Sequence, residues 1–142
     1  MEHDLDRFVM AQDGIYPRAL AELQRGAKRS HWMWFIFPQI AGLGQSAMAR
    51  TYAIAGADEA KAYLAHPVLG LRLIEVTQAV TAAAGSAETI LGGIDAVKLR
   101  SSMTLFAAIA DDPVPYRAAL DRFFDGEDDG ATLDLLRRTP NR

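Results

Sequence analysis

The amino-acid sequence predicts an all-α protein: one compact domain of orthogonally packed helices, about seven to nine in number, over residues 1–142. Three observations support this prediction. Apolar residues recur at spacings of three and four along most of the chain, which is the period of an amphipathic helix. Proline and glycine divide the chain into segments of helical length. The length suits one domain, and no internal repeat or long linker interrupts the pattern.

The first two helices are predicted from the signals at their ends. Asp4 can cap a helix that runs to about Gln12, after which Asp13 and a glycine break it. In the second helix, "YPRALAELQRG", Pro17 suits the first turn because its missing N–H would be unsatisfied there anyway. Gly26 fits the position just past the end of that helix.

The segment "KRSHWMWFIFPQ", residues 28–39, has two interpretations. Ser30 could cap a helix there, but a run of seven bulky residues could equally be a buried strand, and periodicity alone does not separate the two. Pro38 ends the element in either case. Burial of large apolar side chains is favourable, so most of these rings are expected in the core.

The remaining chain is predicted to be helical between its glycine and proline breaks. The clearest amphipathic segment begins at Pro67, with Leu69, Leu73, Val76 and Val80 on one face. One turn of helix is predicted within "GSAETILGGID". The predicted helices are residues 46–54, 59–66, 67–84, 94–110, 116–124 and 132–138.

Composition excludes several classes of protein. The absence of cysteine excludes disulfide frameworks, zinc knuckles and thiol nucleophiles, and it fits a reducing compartment. The N-terminal residues lack the pattern of a signal peptide, and no apolar run reaches about 18 residues, so we expect a cytoplasmic protein without a membrane span. A net charge of −3 disfavours sequence-independent nucleic-acid binding.

The first candidate site is the basic beginning of the aromatic segment. Lys28, Arg29 and His31 would lie at the first turn of a helix, where free N–H groups favour an anion. Trp32 or Trp34 could line a pocket beside them and stack on a flat ring. The alternative is a solvated basic turn followed by core rings.

The second candidate site is the stretch "DAVKLRSSMTLF", residues 95–106. On a helix, Lys98, Ser101 and Ser102 share a face, and Asp95 lies one turn before Lys98. The facet could present an ammonium group and hydroxyls to a ligand. It could equally be a surface ion pair with serines bonded to their own helix backbone.

Other patterns fail their tests. The acidic stretch "DGEDDGATLD" has Leu136 where a calcium loop needs a bidentate glutamate, so it is interpreted as a solvated loop. The histidines lack metal-ligand spacing, and neither a phosphate-binding loop nor a nucleophile elbow occurs. Lone carboxylates such as Glu22, Glu59 and Glu75 are interpreted as surface residues. No metal and no cofactor is predicted.

Nearly the whole chain resembles an uncharacterised bacterial family, domain of unknown function 1810. The resemblance is carried by "DRFVMAQ", "YPRALAEL", "GAKRSHWMWFIFPQIAGLGQSAMARTYAI", "EAKAYLAHPVLGLRL" and "KLRSSMTLF". It implies a small, single-domain, all-helical fold and a helical aromatic segment, but no established activity. Some members carry the label calpastatin, which does not suit a globular domain. A distant likeness to the NADAR proteins, which are linked to ADP-ribose chemistry, is an analogy and assigns no residue.

Two functions are therefore predicted as alternatives. The first is a pocket for a phosphorylated or nucleotide-like small molecule, which could be related to ADP-ribose. In it, His31 and Lys98 are the candidate catalytic residues, since a histidine titrates near neutral pH. The candidate ligand-binding residues are Lys28, Trp32, Trp34, Gln39, Ser101 and Ser102. The second function is a non-catalytic helical interaction domain whose rings are core and whose polar facet is surface.

Overall fold

The computed structural model describes residues 3–138, and within that range every regular element is an α-helix. The all-α prediction is confirmed. The described helices are α1 (Asp6–Gln12), α2 (Tyr16–Arg25), α3 (Met33–Ile36), α4 (Ala47–Thr51), α5 (Ala57–Ala65), α6 (Leu69–Ala82), α7 (Ala87–Leu91), α8 (Gly93–Ile109), α9 (Val114–Phe124) and α10 (Gly130–Arg138). None of these helices is long and apolar enough to cross a membrane.

The helix ends follow from local chemistry. Helix α2 carries Pro17 in its first turn and ends at Gly26, whose φ of 72° lies in the left-handed region that glycine tolerates best. The hydroxyls of Ser46 and Ser86 cap α4 and α7 by accepting backbone N–H groups of their first turns. Pro17, Gly26 and the beginning of a helix at Ser46 are as predicted, whereas the prediction that Asp4 caps α1 is wrong, because the residue before that helix is Leu5 and no side chain caps it.

The aromatic segment is helical, as the resemblance implies, but only over the four residues of α3. The expectation that Lys28, Arg29 and His31 lie at the first turn of a helix is wrong. The hydroxyl of Ser30 does not cap a helix, since it donates to the carboxylate of Glu22. Glu22 also accepts the N–H groups of Arg29 and Ser30, and this holds residues 28–32 in an irregular path.

Aromatic rings form much of the core. A chain of ring contacts runs from Phe8 to Tyr63, Phe106 and Tyr116, with centroids 5.1, 5.5 and 6.0 Å apart. Most rings of the segment 28–39 are also buried, as predicted. Helix α8 lies at the centre of this arrangement and packs against α5, α7, α9 and α10.

Two irregular segments are fixed by long-range hydrogen bonds. Ile40 and Ile54 form an isolated parallel bridge, with the N–H of Ala41 donating to Ile54 and the N–H of Ile54 donating to Gln39. The bridge closes a loop that carries α4. In the acidic segment before α10, Arg100 donates to backbone carbonyls of Glu127 and Asp128, so this loop is anchored rather than simply solvated.

Candidate functional site

An ion cluster joins the two candidate stretches. The ammonium group of Lys28 lies 3.0 Å from Oδ2 of Asp95, and that of Lys98 lies 3.4 Å from Oδ1 of the same carboxylate. Each lysine also lies over a tryptophan ring: Lys28 is 5.0 Å from the centroid of Trp32 and Lys98 is 5.1 Å from that of Trp34. Such contacts are attractive because the ring face is electron-rich. The aromatic segment therefore meets α8 through paired charges and rings.

A two-part groove opens beside this cluster. Its first part encloses about 270 Å³ and its second about 400 Å³. Both parts are lined by Gln39, Gly44 and Ala49, so they adjoin each other. We call them together the α4–α8 groove. The first part is lined further by Trp34, Ile40, Ala41, Gly42, Arg50, Tyr52 and Ala53, and the second by Leu43, Ile94, Val97, Lys98, Ser101, Asp129 and Ala131.

Four of the predicted site residues line the α4–α8 groove. Trp34 lies in the first part, Lys98 and Ser101 in the second, and Gln39 in both. Trp34 and Gln39 are half-buried, and the Lys98 side chain keeps 24% of its surface exposed. A ring, an amide and an ammonium group therefore line one concave surface. Ser101 is buried at its edge, and its hydroxyl donates to the backbone carbonyl of Val97, as the alternative interpretation expected, and to Asp129.

The other four predicted residues have different surroundings. Lys28 is nearly buried on Asp95, and Trp32 is fully buried with its indole N–H donating to Glu22. Ser102 is buried in the core and its hydroxyl has no hydrogen-bond partner among the described residues. His31 is exposed and lines neither part of the groove.

The groove also contains residues that sequence reasoning missed. Arg50 and Tyr52 flank the first part, and Asp129 lies in the second. Oδ2 of Asp129 accepts from the hydroxyl of Ser101 at 3.2 Å and from the N–H and hydroxyl of Thr132, at the beginning of α10. No sequence spacing links these positions, because the contact between Ser101 and Asp129 depends on how α8 and α10 pack.

The charges of the groove favour an anion on one side. Lys98 and Arg50 are cationic, and Arg50 is exposed, with its closest described partner the uncharged Gln45 at 3.4 Å. Asp129 supplies the opposing charge in the second part. The described residues hold no cluster of three or more histidine, aspartate or glutamate side chains that could bind a metal.

Glu22 is a buried acid on α2 that binds the segment leading into the groove. Burial alone would raise its pKa, but hydrogen bonds from the Ser30 hydroxyl, the Arg29 and Ser30 N–H groups and the Trp32 indole outweigh burial and lower the pKa to about 2. Glu22 is therefore a carboxylate at neutral pH. Its interpretation as a surface residue is wrong, and so is that of Glu59, which is buried against Arg7. Glu75 is exposed, as expected.

Comparisons with known proteins identify the family. The chain is similar to the conserved hypothetical protein Rv1873 from Mycobacterium tuberculosis, whose crystal structure superimposes with a TM-score of 0.92 at 47% sequence identity. The match covers 94% of this chain and 96% of that one. No curated protein matches at a significant level. The family model described as "Protein of unknown function (DUF1810)" matches residues 2–136. The chain therefore belongs to the DUF1810 family.

Proposed function

We propose that the α4–α8 groove binds a small phosphorylated or nucleotide-like molecule. The observation that carries the proposal is the position of the Lys98 ammonium group in the groove wall, 5.1 Å from the centroid of the Trp34 ring. A flat ring of the ligand would stack near Trp34, and its anionic group would pair with Lys98. Gln39, which lines both parts, would hydrogen-bond to the portion between them.

The dimensions and chemistry of the groove support this class of ligand. The two parts have the size of a small-molecule site and combine apolar walls with a few polar groups. Gln39 lines both parts, and its amide offers a ligand both a donor and an acceptor. Arg50 offers a second cation in the first part.

A thermal-shift screen tests the proposal with nucleotides, sugar phosphates and ADP-ribose derivatives as ligands. A ligand at about 100 times its Kd is expected to raise the Tm of the wild type by several degrees, because it binds only the folded state. Lys98→Ala should weaken binding roughly tenfold by removing a charge-assisted contact. The matched control is Lys61→Ala, which removes an exposed lysine outside the groove and should leave the ligand-induced shift unchanged.

Two results would count against a groove ligand. One is the absence of any shift across the set of ligands, and the other is an equal shift in the wild type and in Lys98→Ala. His31→Ala is expected to keep the shift, since His31 lies outside the groove lining. A catalytic role for His31 and Lys98 stays a prediction, to be tested by turnover of any ligand that the screen identifies.

An interaction domain is the second candidate, and one observation favours it. Ile94 and Val97 of α8, which line the second part of the groove, are 77% and 63% exposed and place two large apolar side chains together at the surface. In this alternative the same surface would contact a partner protein. It predicts that no small molecule shifts the Tm of the wild type, whereas Ile94→Lys would abolish partner binding and leave the Tm within about 2 °C of the wild type.

A further inference from the structure

Asp95 holds the ammonium group of Lys98 before any ligand arrives. Asp95 does not line the α4–α8 groove, yet its carboxylate lies 3.4 Å from the cation that does. We propose that Asp95 is a resident counter-anion of the groove. A ligand must displace the Asp95 carboxylate from the Lys98 ammonium group, and this competition favours dianionic ligands over carboxylates. This inference rests on the proposed function, because it concerns the same groove.

The two lysines compete unequally for Asp95. Lys28 is closer, at 3.0 Å, and its side chain is 8% exposed, whereas that of Lys98 is 24% exposed. A buried pair is screened less by water and salt, and separating it leaves a charge without solvation. Lys98 is therefore the partner that Asp95 can release. When Lys98 turns to a ligand, Asp95 stays paired with Lys28 and no buried charge is left alone.

This arrangement discriminates between ligand charges. A ligand carboxylate offers Lys98 the same unit charge that Asp95 already supplies, and it also loses freedom of motion on binding. A dianion doubles the Coulomb attraction at the same distance. A phosphate monoester, which is mostly dianionic at pH 7, and the sulfate ion share this property. Their anionic groups should therefore displace Asp95 from Lys98, whereas an acetate-like group should not.

Iodide quenching of tryptophan fluorescence tests the resident counter-anion without an identified ligand. Trp34 is partly exposed in the groove beside Lys98, whereas Trp32 is fully buried, so a quencher reports on Trp34. Iodide is an anion and acrylamide is neutral. The quenching constant of iodide divided by that of acrylamide therefore measures the attraction of anions to Lys98. Trp34→Phe should remove most of the signal from both quenchers.

Two variants should change this ratio in opposite directions at constant ionic strength. Asp95→Asn is expected to raise it roughly two- to fivefold, because a unit negative charge beside Lys98 is lost. Lys28→Met is expected to lower it, because Asp95 then pairs with Lys98 alone. The matched control is Arg29→Met, which removes an exposed cation next in sequence and should lower the ratio less than Lys28→Met does.

Competition against iodide tests the selection of charge. Sulfate should displace iodide from the wild type at a several-fold lower concentration than acetate does. In Asp95→Asn this preference should fall by at least half. Because these probes are simple ions, failure of the ligand screen and failure of this inference are separate results.

The inference is overturned if Asp95→Asn and Lys28→Met leave the ratio of iodide to acrylamide quenching unchanged. It is also overturned if Arg29→Met lowers the ratio as much as Lys28→Met. The ratio would then respond to the loss of any nearby cation and not to the pairing of Asp95. Equal displacement by sulfate and acetate overturns the selection of dianions. If far-UV circular dichroism shows that Asp95→Asn does not fold, the inference is tested by comparing the quenching ratio of Lys28→Met with that of Arg29→Met.

Discussion

Glu22 shows how one side chain can set the path of a functional segment. Its buried carboxylate accepts four hydrogen bonds from residues 29–32, and all four donors come from the aromatic segment or its basic beginning. These bonds fix Trp32 in the core and therefore the direction in which the chain continues to Trp34. The groove thus depends on a residue of α2 that does not line it.

The stability that Glu22 provides should depend on pH. Its pKa falls from 4.5 to about 2 on folding, so the contribution is complete above pH 4.5 and is lost as the pH falls toward 2. A difference of this size corresponds to about 3 kcal/mol. Between pH 5 and pH 2, the free energy of unfolding of the wild type should therefore fall by about 3 kcal/mol more than that of Glu22→Gln, as measured by urea denaturation.

A matched control for this measurement is Glu88→Gln, which changes an exposed glutamate on α7. Its unfolding free energy should follow the pH dependence of the wild type. Parallel curves for the wild type and Glu22→Gln would contradict the assignment of an ionised, hydrogen-bonded Glu22.

At the scale of elements, local sequence signals predicted the ends of α2. The prediction failed at α3, where hydrogen bonds to residues distant in the sequence determine the structure. Pro17 and Gly26 delimit α2 through backbone preferences that are visible in the sequence. Helix α3 is short because Glu22 binds the N–H groups before it and Ile90 accepts the N–H of Lys28. The partners of those bonds lie on other elements, so periodicity within the segment does not reveal them.

The crossing of α5 and α6 depends on a glycine. A Cβ added to Gly70 would lie 2.1 Å from the carbonyl oxygen of Leu64, which is a backbone atom that a rotamer change does not move. Gly70→Ala should therefore separate the two helices and lower the free energy of unfolding by about 1–3 kcal/mol. Urea denaturation measures this change.

Gly93 provides the comparison, because it begins α8 and a Cβ there would meet nothing within 4 Å. Gly93→Ala should leave stability unchanged or raise it by about 0.5–1 kcal/mol, since alanine restricts the unfolded chain. Equal destabilisation by both substitutions would show that close approach of the helices is not the cause.

At the scale of the molecule, the groove is assembled from segments that are distant in the chain. The sequence predicted Trp34, Gln39, Lys98 and Ser101 from their chemistry, and the structure brings them to one surface. Arg50, Tyr52 and Asp129 were missed because no periodic pattern marks them. His31 and Ser102 were chosen from neighbouring positions, but their side chains point to solvent and to the core respectively.

The single domain predicted for residues 1–142 has a direct thermodynamic test. A chain whose helices share one core should unfold in one cooperative transition. Far-UV circular dichroism, which follows the helices, and tryptophan fluorescence, which follows residues 32 and 34, should then give the same midpoint in urea. Midpoints that differ beyond experimental error would indicate parts that unfold independently.

The parallel bridge between Ile40 and Ile54 has an evolutionary consequence. It holds the two ends of the intervening loop together at its base, while α4 within that loop contributes no buried residue to the core. Lengthening such a loop costs little entropy, although Leu43 and Tyr52 within it pack against the core. Insertions are therefore tolerated best at the exposed positions of α4, and we expect relatives of this chain to differ there in length.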